Sequence, residues 1–211
     1  MPDASVVVAR PAHATQLVLL FHGVGSTASH LVPLGEAIAQ GLPRAMVVSI
    51  DGPHASTLGS GREWFSVLGV TEQNRPERIA KAMPLFVDAV ARWQQATGLG
   101  PEATLLVGFS QGAIMALEST QLDPACVPAS RVVALAGRFA EAVRRAPANL
   151  RFHFIHGEQD GVVPAQHSIA GADALRRLGA QVTLDLLPGL AHGIDARALQ
   201  RVLAHLADDR P

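Results

Sequence analysis

Thr104-Leu105-Leu106-Val107-Gly108-Phe109-Ser110-Gln111-Gly112-Ala113-Ile114-Met115-Ala116-Leu117-Glu118 is the stretch that decides the fold. It opens as a short apolar run of strand character and closes on residues with high helix propensity. A serine bounded by glycines stands between them, in the spacing G-x-S-x-G. A sharp strand-to-helix turn around that serine leaves little room for side chains two positions before or after it, which accounts for the glycines. Projected from such a turn, Ser110 Oγ stands clear of the backbone at a helix N-terminus, where the dipole favours developing negative charge. The plain alternative is a glycine-bounded turn with a capping serine. The strand-turn-helix setting favours a nucleophile.

The same alternation continues in both directions. Ser5–Ala9, Gln16–Phe21, Ala45–Ile50, Arg131–Leu135, Arg151–His156 and Gln181–Leu187 read as strands beside Thr104–Phe109. Most are apolar throughout, as befits strands buried on both faces of a largely parallel sheet. Helical patterns fall near Leu31–Gln40, Glu77–Thr97, Gly112–Gln121, Ala165–Leu178 and Ala196–Ala207. Pro76 suits a helix start and Gly98 a helix end, while Pro84 is expected to bend or break the second helix. Strands alternating with helices predict an α/β fold, helices packing on both faces of the sheet. No repeat, low-complexity tract or linker divides the chain, so one domain over residues 1–211 is expected. The longest aperiodic stretch, Asp51–Arg75, contains Trp64 and Phe65 and reads as packed rather than disordered.

Composition narrows the function. Of 211 residues, 48% are hydrophobic and 17% charged, outside the range of disordered chains. Lys+Arg 17 against Asp+Glu 18 offers no basic excess for a phosphate backbone or an anionic membrane, so nucleic acid is not an expected partner. Cys126 is the single cysteine. It excludes an intramolecular disulfide and a C-x-x-C metal site, and it fits a reducing, cytoplasmic setting. The N-terminal MPDASVVVAR has too short an apolar run for a secretory signal, and no stretch is long enough to span a bilayer.

A serine hydroxyl needs a base to take its proton, and histidine has the suitable affinity. With the order Ser, then Asp or Glu, then His, the candidates are His153, His156, His167, His192 and His205. Four of them fall in expected strands or helices. His192 follows the strand Gln181–Leu187 in Pro188-Gly189-Leu190-Ala191-His192-Gly193, at the carboxyl edge where open α/β sheets bind ligands. The acid that orients it is expected after Arg151–His156, in Gly157-Glu158-Gln159-Asp160-Gly161. Asp160 is favoured there; Glu158 is its neighbouring rival, and Asp185 lies within a strand.

Attack on a carbonyl builds an oxyanion that needs preorganised donors. The backbone N–H of Gln111 supplies one, and the glycine-rich turn Phe21-His22-Gly23-Val24-Gly25-Ser26 the other, through Val24. His22 reads as structural. A phosphate loop is excluded, because G-x-x-x-x-G-K-[ST] is absent and Ala28 stands at the last position of G-x-G-x-x-G.

With these pieces in view, the chain resembles the phospholipase/carboxylesterase family, the small α/β-hydrolases that include carboxylesterases and acyl-protein thioesterases. Leu20-Phe21-His22-Gly23-Val24-Gly25, Gly108-Phe109-Ser110-Gln111-Gly112-Ala113, Ile155-His156-Gly157-Glu158-Gln159-Asp160 and Ala191-His192-Gly193 carry the likeness. It is most like the small bacterial esterases of that group. The resemblance implies an α/β-hydrolase fold with Ser110 as nucleophile, Asp160 as acid, His192 as base, and Val24 and Gln111 as amide donors. It places Trp64-Phe65 near the acyl site, and Val163 and Leu190 are added here as further apolar candidates for that surface. Ala113, where many members have glycine, and the divergent Asp51–Arg75 region bear on acyl specificity. The expected activity is hydrolysis of small or short-to-medium carboxylic esters or thioesters through an acyl-enzyme, without cofactor or metal. The chain is too short for a large helical cap beside a complete hydrolase core, so the site should be open or roofed by loops. Rival readings are a lysophospholipase, an acyltransferase and a hydrolase-fold binding protein without turnover, the last requiring a missing triad member.

Overall fold

A computed structural model describes residues 5–207. Its core is a seven-stranded sheet built from β1 (Val6–Ala9), β2 (Gln16–Phe21), β3 (Ala45–Ile50), β6 (Thr104–Phe109), β7 (Arg131–Leu135), β8 (Arg151–Gly157) and β9 (Gln181–Leu187). In space the order is β1-β3-β2-β6-β7-β8-β9, with β1 antiparallel to β3 and every other pair parallel. A short hairpin, β4 (His54–Ala55) with β5 (Arg62–Glu63), lies outside this sheet.

Alternation along each central strand divides its side chains between two cores. Val18 is in register with Val47 and Leu105, and all three face α1 (Val32–Gly41) and α5 (Ala196–Ala207). Leu19, in register with Val48 and Leu106, faces the other layer, formed by α2 (Arg75–Thr97), α3 (Gln111–Ser119) and α4 (Gln166–Arg177). Both faces are covered, so the strands must be apolar at odd and even positions alike.

The sheet strands and five helices expected from sequence are all present, with ends shifted by a residue or two. Two expectations change. Helix α2 runs unbroken for 23 residues through Pro84 and stops at Gly98 in a left-handed conformation (φ 70°). Met83 and Phe86, on either side of Pro84, are buried in the core, and this packing holds the helix together across the missing N–H. The Asp51–Arg75 region contains the β4–β5 hairpin, whose two-residue strands are too short to show a period. Among the described residues no helix is long and apolar enough to cross a membrane, and no helical cap covers the carboxyl edge of the sheet.

Candidate active site

Ser110 sits between the end of β6 and the start of α3 with φ 52° and ψ −116°, a strained conformation for a residue with a side chain. Packing holds it there. Its N–H donates to Leu135 O at 2.9 Å and its own carbonyl accepts from Ile114 N at 3.0 Å. A Cβ on Gly112 would come within 2.1 Å of Phe21 O, so α3 can approach β2 this closely only with glycine at that position.

His192 comes from the loop after β9. Its Nε2 lies 2.9 Å from Ser110 Oγ and its Nδ1 lies 2.6 Å from Asp160 Oδ2. An ionised carboxylate can only accept, so Nδ1 carries the ring proton and Nε2 is left to accept from the serine hydroxyl. The Phe109 ring backs the imidazole at 5.0 Å. The loop bearing His192 crosses the end of β8, where a Cβ on Gly157 would meet Leu190 O at 2.2 Å. Glycine at that strand end is what brings the two loops together.

Asp160 is buried, and all its carboxylate contacts come from donors. Oδ1 accepts the amides of Val162 and Val163, each at 2.8 Å. Oδ2 accepts from His192, and His156 Nε2 lies 3.2 Å away while also donating to Val163 O at 2.8 Å. Burial pushes the Asp160 pKa up, but the His192 hydrogen bond and the amides of Val163 and Val162 outweigh it, so the group lies below its ordinary value and stays charged. Glu158 is exposed, and among the described residues only its backbone is engaged, through N–H to Leu187 O.

The proposed oxyanion donors face the same space. Gln111 N–H is the first of α3 and so has no intrahelical acceptor. In the turn after β2 the amides of Gly25 and Ser26 are taken by Arg62 O and Gly23 O, whereas that of Val24 has no acceptor among the described residues. His22 braces the turn. Its Nδ1 donates to Gly23 O at 2.7 Å and its Nε2 accepts from Gly52 N at 3.0 Å, a neutral ring kept so chiefly by burial.

A cavity of about 240 Å³ opens beside Ser110, lined by Val24, Phe65, Ile114 and Val163 among others. Trp64 does not line it. Its indole is 1% exposed and packs against Phe21 at 6.0 Å and Phe86 at 5.0 Å. The expectation of Trp64 at the acyl surface is thus corrected: the bulkiest side chain of the loop fills the layer between β2 and α2, and its neighbour Phe65 faces the cavity. Leu190 also does not line this cavity. It packs on the core beside α5, and its carbonyl accepts from Gln159 N at 3.0 Å.

Three contributions had no signal in the sequence. The Gln111 side chain spans two loop residues, accepting from Trp64 N at 2.7 Å and donating to Phe65 O at 2.8 Å. His156 shares the Asp160 carboxylate, and Arg75 and Arg138 line the cavity. A strand histidine and two arginines from separate elements form no local pattern. No three His, Cys, Asp or Glu side chains among the described residues are grouped to hold a metal ion.

A family model described as Phospholipase/Carboxylesterase matches residues 2–208. The chain is 44% identical over 204 residues to Esterase YpfH of Escherichia coli, covering 97% of this chain and 87% of that one. It is 31% identical over 121 residues to acyl-protein thioesterase 1 of Gibberella zeae, 54% of this chain and 52% of that one. Among solved structures, esterase PE8 superposes with a TM-score of 0.87 at 30% identity, covering 98% of this chain and 97% of that one.

Proposed function

Because the chain belongs to the phospholipase/carboxylesterase family and is an enzyme of the esterase type, we propose that it hydrolyses carboxylic esters or thioesters through an acyl-enzyme on Ser110. The observation that carries this reading is the hydrogen-bonded series Ser110 Oγ to His192 Nε2 at 2.9 Å and His192 Nδ1 to Asp160 Oδ2 at 2.6 Å. His192 takes the serine proton as Oγ attacks the carbonyl, and Asp160 holds the tautomer and stabilises the imidazolium. The amides of Val24 and Gln111 receive the oxyanion. His192 then returns the proton to the leaving alcohol or thiol, and a water activated in the same way releases the acid.

This chemistry separates the two halves of the substrate. The leaving group departs on the side of the base that protonates it. The cavity is lined by Val24, Ser110 and Gln111 and not by His192, so it takes the acyl part. Its apolar walls, Phe65, Ile114 and Val163 among them, suit short-to-medium acyl groups. Among the described residues no helical cap lies over the site, which supports open access from water. A single cysteine, Cys126, fits work in the cytoplasm by one α/β-hydrolase domain.

The test is Ser110→Ala. Turnover of a short ester is expected to fall by roughly 10⁴–10⁶ with an unchanged melting temperature, and wild-type turnover by the folded variant would remove Ser110 from the reaction. Product analysis with an added alcohol distinguishes hydrolysis from acyl transfer.

A further inference from the structure

Away from Ser110 and Gln111, the lining of the acyl cavity is apolar except where two arginines, Arg75 from the start of α2 and Arg138 from the loop after β7, reach its wall. Both side chains are largely buried, 15% and 12% exposed, while the carboxylate they share, Glu72, is 60% exposed and lies on the outer side. Arg138 meets Glu72 through both terminal nitrogens, at 3.0 and 2.7 Å, and also donates to His167 Nε2 at 3.1 Å and to Phe139 O at 3.1 Å. Arg75 touches Glu72 with Nη1 at 2.6 Å, and its side chain makes no other hydrogen bond among the described residues. The hydrogen bonds of Arg138 and Arg75 hold the Glu72 pKa down to about 2, so its charge is always present. Burial, foremost, and the nearby Arg138 keep His167 neutral. Two guanidinium groups against one carboxylate leave one positive charge unbalanced beside apolar walls. A partly buried, unbalanced cation with spare donors is costly unless an anion completes it.

The geometry points to an acyl subsite for a carboxylate: the preferred acyl group ends in a carboxylate that Arg75 and Arg138 receive, so the substrates are half-esters or half-thioesters of short dicarboxylic acids. This rests on the reading of Ser110 as nucleophile and of the cavity as the acyl side. The walls bury the methylenes between the two ends, and the guanidinium forks supply charge-assisted hydrogen bonds at the far one.

Monoethyl glutarate and ethyl valerate have acyl chains of equal length, release the same alcohol and differ by one carboxylate. Wild-type kcat/KM is expected to be roughly ten- to hundred-fold higher for monoethyl glutarate, the ratio shrinking as salt is added. Arg75→Gln and Arg138→Gln are each expected to lower that ratio by roughly ten-fold. Glutarate should inhibit hydrolysis of ethyl valerate competitively at concentrations where valerate does not, a measurement that needs no variant. Equal rates on the two esters, or a preference that both folded variants retain, overturns the carboxylate subsite and leaves the esterase reading standing. Failure of wild type on every ester, neutral or charged, overturns that reading and this one with it.

Discussion

His156 Nε2 lies 3.2 Å from Asp160 Oδ2, the same oxygen that receives His192 Nδ1 at 2.6 Å. Two histidines therefore bracket one carboxylate, and one of them is out of reach of any substrate. His156 is fixed on its far side by Ser168 Oγ at 2.7 Å, which in turn donates to Gly137 O at 3.0 Å. Removing it takes away one of the four donors that orient the Asp160 carboxylate. His156→Ala is expected to lower kcat by roughly ten-fold with little change in KM, and His156→Gln, which keeps a donor, to recover most of the loss. Equal losses for both variants would mean that the ring fills space and does not orient Asp160.

The acid itself separates two carboxylates that sequence left as rivals. Asp160→Asn would present an amide N–H or a weak acceptor to His192 and favour the wrong tautomer, so kcat is expected to fall by about 10⁴. Glu158 is exposed with no side-chain partner among the described residues, and Glu158→Gln should remain close to wild type. A steady-state rate on one short ester measures both, and the reverse pattern would move the role to Glu158.

Acyl-chain length should be read by the cavity wall. Ile114 lines the cavity, and Ile114→Ala is expected to shift the kcat/KM optimum toward longer acyl chains. Trp64→Ala should leave that optimum in place and cost about 3–5 kcal/mol of stability, because the indole is packed against Phe21 and Phe86. A shifted optimum in the Trp64 variant, with stability unchanged, would return that residue to the substrate.

Acid sensitivity has an identifiable contributor away from the site. His153 is buried in β8, hydrogen-bonded to Thr183 at 2.8 Å and stacked on His205 at 4.5 Å. Burial above all, then the electrostatic influence of neighbouring His205, Arg131 and Arg151, holds its pKa down to about 3. In the unfolded chain a histidine titrates near 6.5, so below that pH the unfolded state takes up a proton that the folded state refuses. Stability is therefore lost as pH falls from about 6.5 toward 3, by at most about 1.4 kcal/mol per pH unit from this group. Thermal melts of His153→Gln should fall less steeply than wild type between pH 7 and pH 4.5. Parallel profiles would exclude His153 as the cause.

Sequence reading reached the sheet because its strands are covered on both sides: a run such as Leu17–Phe21 is apolar at every position and cannot be mistaken for a half-exposed strand or a loop. The grouping of Ser110, Asp160 and His192 was legible for a related reason. In a parallel sheet every strand delivers the loop after it to one edge, so chain order alone brings those loops together. Side-chain direction was less accessible. Trp64 and Phe65 are adjacent and both apolar, and only the placement of α2 determines which is buried in the core and which faces the cavity. Arg75 and Arg138 lie 63 positions apart on different elements and meet only through Glu72, which no spacing rule anticipates. Pro84 does not break α2, because a local rule meets a helix whose flank is buried on either side of the proline.

The paired hydrogen bonds between the Gln111 side chain and the backbone of Trp64 and Phe65 also limit how this enzyme can be re-engineered. On the proposed mechanism the residue that offers an amide to the oxyanion is latched to the loop that walls the cavity, so specificity and catalysis would share a hinge pin. Grafting residues 51–74 from a relative would import a new cavity wall, but the graft can seat only if its backbone offers one N–H and one carbonyl at the height of Gln111. Diversity in acyl preference is thus more accessible through side chains hung on the existing loop than through changes in the loop's length.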